Sequence, residues 1–368
     1  MATVFIAGII QSFFFALLIG SKKHRTYPDK LLIVWLIIIG LHLLYYFYMF
    51  EGWYKQYPAF IGFGLYFPAL HGPLFYLYFR ALISKKPGWK WKDALHFIPF
   101  VVANLFIIQF HFFPVEQKLT LAFSPPDFFS PFIKAGMLLN NFLGPAYIIV
   151  IWFYIRKYQD DLKNIFSYTE NVSLQWVKNL NYGLAGIWLV VITVNYTPLA
   201  TQIRGDVFIY TAVVIFVFSV GYFGFKQTAL FTDFQNTSPR QPGPGRYTRS
   251  GLSQTSSTDI LNALIDYLES EKPYLDGTLS LEAVSKALNV PRHHLSEVIN
   301  RQMTLTFFDL VNRYRVKEFE KRVKAGDISR LTVLGLAYEC GFNSKASFNR
   351  IFKKQTGQTP SEFIKSIK

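Results

Sequence analysis

The sequence predicts an all-α protein in two parts: a bundle of seven membrane-crossing helices, a flexible linker, and then a small domain of paired short helices. Three observations predict it. Hydrophobic residues make up 51% of the 368 and charged ones only 17%, which is too apolar for an ordinary soluble chain. The apolar residues gather in positions 1–225 as seven runs, each close to the roughly 20 residues that cross a hydrocarbon layer. Residues 259–368 show instead the helical periodicity of a folded soluble domain.

The seven runs are Thr3–Gly20, Leu31–Phe50, Phe60–Phe79, Ala94–Phe113, Ala135–Tyr154, Gly183–Ala200 and Val207–Phe225, and none contains Asp, Glu, Lys or Arg. A buried helix of a soluble bundle explains one such run, but not seven in succession. The first run reads as a retained anchor, because its basic cluster follows the apolar stretch and no basic segment precedes it. Thirteen Lys and Arg lie in the first, third and fifth loops, against Lys55, Lys118, Lys134 and Arg204 in the others. The excess of positive charge on the inner side puts the odd loops in the cytoplasm. The N-terminus is then outside and everything after Phe225 is inside. Val172, Leu174, Trp176, Val177 and Leu180 in the fifth loop fit either a short helix on the inner membrane face or a plain connection.

Spans without a carboxylate or an ammonium group disfavour ion pumps and proton-coupled carriers. A retinal pigment needs a lysine in the last span, which has none. His42, His71, Asn104, Gln109, Asn140, Asn141 and Asn195 are read chiefly as hydrogen-bonding groups between helices, with a shared pocket as the alternative. The His71-Gly72-Pro73 run predicts a kink or a helix break. No glycine-rich phosphate loop, HExxH, GxSxG or metal-spaced His/Cys cluster occurs, so no enzyme, catalytic residue, cofactor or metal is expected. The single cysteine, Cys340, excludes a disulfide framework.

Between the two parts, Phe234–Thr258 is rich in Ser, Pro and Gly and reads as a linker. The predicted division is a membrane domain at 1–228, a linker at 229–258 and a terminal domain at 259–368. In that domain Leu281, Val284 and Leu288 share one helical face, and Leu295, Val298 and Ile299 share the next. A long helix over Leu305–Lys324 follows. The pair then recurs: Val333, Leu336, Ala337 and Cys340 face inward, Gly341 turns the chain, and Phe348, Ile351 and Phe352 face inward from the second helix. Thr359-Pro360-Ser361-Glu362 opens a last helix with a capping box.

The segments Leu279–Leu295, Ala337–Lys353 and Thr356–Phe363, with Arg315 in the helix between, resemble the paired helix-turn-helix of AraC-type (AraC/XylS) transcription regulators. More loosely, residues 1–225 resemble the seven-span regions of membrane-bound members. The resemblance implies bacterial double-stranded promoter DNA as partner, with the second helix of each pair in the major groove, about 34 Å apart. Matched by position, the first reading helix offers Arg292, His293, Ser296, Glu297 and Asn300 outward, and the second offers Ser344, Lys345, Ser347, Asn349 and Arg350. Arg301, Lys353 and Lys354 are better placed for phosphates. Glu297 and Asn289, where relatives often carry a basic or amide residue and a glycine, weaken the first motif, and Phe319 stands where a small residue is usual. Residues 327–368 carry seven basic residues against three acidic, the whole +4 surplus of residues 251–368. The second motif should therefore dominate affinity, and so modest a charge favours binding as a homodimer.

The favoured reading is a one-component regulator in the bacterial inner membrane. Its membrane half senses a small-molecule or lipid effector, and signalling acts by a change in dimerisation. Two others stay open: a transporter or channel for a neutral solute with an appended regulatory domain, and a passive anchor that signals through a protein partner.

Overall fold

The structure is a computed structural model and describes residues 2–84, 86–123, 130–168, 174–196, 205–237 and 254–367. The described residues are helical wherever they are regular, apart from one isolated bridge between Phe166 and Ser280. The chain divides into two compact units, residues 1–155 with 175–238, and residues 156–174 with 239–368.

The first unit contains α1 (Ala2–Gly20), α2 (Tyr27–Phe50), α3 (Pro68–Ile83), α4 (Ile98–Phe106), α5 (Ile108–Phe112), α6 (Val115–Phe123), α7 (Ser130–Lys163), α8 (Gln175–Tyr196) and α9 (Gly205–Thr237), with α7 ending in the second unit. Of these, α1, α2, α7, α8 and α9 are long and apolar enough to cross a membrane. They coincide with five of the seven predicted runs.

The other two runs differ. The third begins in short 3₁₀ turns, and its helix, α3, starts only at Pro68. At 16 residues it is about 24 Å long. Pro58 and the left-handed Gly62 (φ +86°) occupy the stretch before it and account for the delay. The fourth run is broken, with a 3₁₀ segment at Trp91–Phe97 before α4 and an interruption at Ile107 (φ −113°, ψ 10°) between α4 and α5. Pro99 lies in the first turn of α4, where its missing N–H is tolerated and where it disfavours helix before it. Of the kink or break expected at His71-Gly72-Pro73, a break is not seen, since α3 continues through Pro73. Trp176, Val177 and Leu180 of the fifth loop sit in the first turns of α8, and residues 169–173 lie outside the described set.

Small residues let the helices approach. A Cβ on Gly8 of α1 would fall 2.7 Å from Val214 of α9 and 2.8 Å from Leu43 of α2, which is how helices pack where apolar burial drives association weakly. Trp35 of α2 stacks on Phe75 of α3 with ring centres 5.2 Å apart. The predicted linker bounds of 229 and 258 differ from the flanking helices: α9 runs to Thr237 and the next helix starts at Gln254. Residues 238–253 lie outside the described set.

The second unit contains α10 (Gln254–Ser270), α11 (Leu281–Ala287), α12 (Arg292–Gln302), α13 (Phe307–Lys324), α14 (Val333–Glu339), α15 (Lys345–Thr356) and α16 (Pro360–Ile367). Two apolar cores share the long α13. Its Leu310 and Val311 join Leu281, Val284, Leu295 and Ile299 in one, and its Val316, Phe319 and Val323 join Leu336, Cys340, Phe348 and Phe352 in the other. The inward faces expected of both helix pairs are thus observed. Phe319 is fully buried, with ring centres 4.8 Å from Phe348 and 5.5 Å from Phe352. The large side chain is simply core. Burial pushes the Cys340 thiol up to about 12, which keeps it an inert packing group.

Candidate nucleic-acid interface

Each helix pair is built from caps and one left-handed turn. In the first, the Ser280 hydroxyl accepts from the Ala283 N–H at the start of α11. Asn289 then takes φ +52° before α12. Asparagine is among the few side chains that tolerate this region, which explains how it replaces the usual glycine. In the second pair Thr332 caps α14 and Ser344 caps α15, accepting from Gly335 and Ser347 at 3.0 and 3.1 Å. The predicted capping box at Thr359 is formed: the Thr359 N–H donates to Glu362 Oε2 at 2.7 Å, and this bond holds the carboxyl below its usual range.

Gly341 closes the second turn at φ +86°. A methyl group there would collide with the Tyr274 carbonyl oxygen and fall 2.9 Å from Arg315 Nε. Gly341→Ala should therefore cost about 2–3 kcal/mol through backbone strain and displacement of that carbonyl. Faster hydrogen exchange across 333–356 in the intact chain checks this; wild-type protection would contradict it.

The two reading helices present different surfaces. Along α15, Lys345, Asn349, Arg350, Lys353 and Lys354 are exposed while Phe348, Ile351 and Phe352 are buried. Four cations and one amide therefore line the outer face at i, i+4, i+5, i+8 and i+9. Lys354 also reaches Asp309 at 3.3 Å. Ser347, expected to face outward, is only 7% exposed. Ser344 is half-buried, its hydroxyl engaged as the cap.

On α12 the outward set is thinner. Ser296 and Glu297, expected outside, are buried at 5% and 3% exposure. The i+4 neighbours turn inward on each other, with Asn300 Nδ2 donating to the Ser296 carbonyl at 2.7 Å and Arg301 pairing with Glu297 at 2.8 Å. Arg292 is half-buried, 3.9 Å from Glu282. His293 is exposed, and partial desolvation and then His294 hold its imidazole below the ordinary range. α12 thus offers His293 and the partly paired Arg301.

One constellation that helical patterning missed lies beneath both motifs. Arg315 of α13 is 2% exposed, and its five N–H groups make five hydrogen bonds. Nε donates to the Tyr274 carbonyl at 2.7 Å. The terminal nitrogens donate to the Asp276 carbonyl at 2.8 Å, the Ser167 carbonyl and hydroxyl at 3.1 Å each, and Asn312 Oδ1 at 3.4 Å. The acceptors of these five bonds are neutral oxygens, which solvate the charge. Ser167 comes from the stretch between α7 and α8. There the Ser167 N–H and hydroxyl both donate to the Leu279 carbonyl, the Leu281 N–H donates to the Ile165 carbonyl at 2.9 Å, and Asn312 Nδ2 donates to the Ser167 carbonyl at 3.2 Å. Residues 165–167 are thereby an edge piece of the helix-turn-helix unit.

Comparison with known proteins agrees with this geometry. The helix-turn-helix domain family matches residues 284–366. The probable transcription factor PqrA of Proteus vulgaris is 27% identical over 105 residues, which is 28% of this chain and 83% of PqrA. The uncharacterized HTH-type transcriptional regulator YijO of Escherichia coli K12 is 28% identical over 112 residues, 30% of this chain and 38% of YijO. The HTH-type transcriptional activator RhaR of Escherichia coli K12 is 27% identical over 118 residues, 32% of this chain and 40% of RhaR. The chain thus spans most of PqrA but only about two fifths of the other two. No solved structure matches it.

Proposed function

From the AraC-type helix-turn-helix domain that forms its C-terminal part, we propose that this protein is a membrane-embedded one-component regulator whose terminal unit binds promoter DNA on the cytoplasmic side. The observation that carries this is the exposed stripe of Lys345, Asn349, Arg350 and Lys353 on one face of α15. Arg350 and Lys345 suit guanine acceptors and Asn349 suits the adenine edge, while Lys353 and Lys354 neutralise phosphate. With α12 contributing little beyond His293 and Arg301, one chain holds DNA weakly. Two copies on repeated half-sites supply the remainder.

The five long apolar helices support residence in the inner membrane, and the loop charges, counted with all seven apolar runs crossing, support a cytoplasmic tail. The end of α7 and residues 164–168 after it fold with the DNA-binding unit. This supports a route for signalling other than dimerisation alone. A shift of α7 against α8 pulls on Ser167, and through Arg315 on the junction between the two helix pairs.

A reporter fused after Lys368 tests the topology. Fluorescent protein that matures there, with alkaline phosphatase inactive at the same site, is the expected result. Active phosphatase would place the tail outside and end this reading.

A further inference from the structure

Within the first unit, side chains of α2, α3, α7, α8 and α9 enclose a cavity of about 320 Å³. Its wall is mostly apolar, with Trp35, Ile39, Trp188 and Phe216 prominent, and among the described residues its lining contains no Asp, Glu, Lys or Arg. The volume is at the lower end for small-molecule sites and too small for a two-chain phospholipid.

The polar part of the wall is directional. Trp35 Nε1, which can only donate, lies 3.3 Å from His71 Nδ1. That nitrogen must accept, so the His71 proton sits on Nε2. His71 Nε2 lies 2.9 Å from His42 Nδ1 and donates to it. His42 Nδ1 is then an acceptor, and its own proton sits on Nε2. Both rings are neutral by this assignment, since each uses one nitrogen as acceptor. The relay ends on His42 Nε2–H, a buried donor without a partner among the described residues. Asn140, on the same wall, keeps Oδ1 buried and equally without one. Two unanswered polar atoms in an apolar cavity cost free energy until something supplies the missing bonds.

We propose that this cavity is the effector site and that its ligand is an uncharged, largely apolar molecule bearing a hydroxyl, of the size of a single-chain alcohol or hydroxyketone. The hydroxyl oxygen accepts from His42 Nε2–H, and its hydrogen is donated to Asn140. A charged ligand finds no counter-ion in the lining, and a pure hydrocarbon leaves both polar atoms unanswered. This rests on the membrane half being a sensor, and it names what is sensed.

The test uses the full chain in phosphatidylcholine nanodiscs, tritiated decan-1-ol as probe, equilibrium dialysis at pH 8, and empty discs subtracted. Saturable uptake of one decan-1-ol per chain is expected, displaced by unlabelled decan-1-ol but at least about tenfold less well by decane or decanoate. His42→Phe, which keeps the ring and removes the donor, should weaken uptake about tenfold. Ile39→Phe, which fills the cavity and leaves the relay intact, should also reduce it. No saturable uptake, equal displacement by decane, preferred displacement by decanoate, or wild-type uptake by both variants would each overturn the proposal. DNA binding is measured on the same discs. A chain that binds DNA but takes up no alcohol loses only the ligand site, whereas one that takes up alcohol without binding DNA loses the regulator and keeps the site.

Discussion

Arg315→Ala is expected to unfold the DNA-binding unit under conditions where the wild type is fully folded. The substitution strands the Tyr274 carbonyl and Asn312 Oδ1, and it leaves the Ser167 and Asp276 carbonyls with only the Asn312 amide and the Leu279 N–H as donors. Each buried acceptor left without a donor costs about 1–3 kcal/mol, so two of them remove a large share of a total domain stability of about 5–15 kcal/mol. At 1.4 kcal/mol per factor of ten, amide exchange across 281–302 and 333–356 should accelerate a hundredfold or more. Arg315→Lys should rescue little, because a single ammonium cannot reach carbonyls arranged for a planar fork. Ser167→Ala removes only a hydroxyl and should cost about 1–2 kcal/mol. If exchange in Arg315→Ala matched wild type, the guanidinium would not be holding the two helix pairs together.

The second large effect is expected at the exposed face of α15. Arg350→Ala should lower affinity for the specific site about 10- to 100-fold and relax preference at the base pairs it reads. Lys353→Ala should instead weaken all sequences alike and reduce the dependence on salt by about one counterion. Ser347→Ala and Ser296→Ala should leave sequence preference unchanged, because both side chains are buried. Titration of full-length protein against labelled DNA separates these outcomes. A strong change of sequence preference in Ser347→Ala would return that residue to the interface.

Much of this architecture could be read before any coordinates. The inward positions of both helix pairs, the Gly341 turn and the Thr359 capping box follow from spacing and from the few residues that fit caps and left-handed turns. Ser296 and Ser347 read as outward-facing and are buried, because a small hydroxyl side chain fits either face of an amphipathic helix and periodicity carries little weight for it. The fourth apolar run showed the proper length and composition, yet Pro99 and the interruption at Ile107 break it into pieces. Hydropathy averages over such breaks. The docking of residues 165–167 on Leu279 and Arg315 joins positions more than a hundred apart through backbone groups. No side-chain pattern encodes that, although a lone arginine in the core-facing series of α13 signals an unseen set of acceptors. The relay from Trp35 through His71 to His42 likewise joins two histidines that the sequence shows only as separate polar groups in apolar runs, to a tryptophan that it does not single out.

The central claim is that one chain binds promoter DNA while it resides in the membrane. The direct measurement crosslinks cells that express the intact protein, washes the membrane fraction, and sequences the DNA that remains with it, beside cells expressing Arg350→Ala. Discrete promoter sites in the membrane pellet from the intact chain, and their loss in the variant, are the expected result. The same sites recovered only from the soluble fraction, or no difference between the two pellets, would contradict it.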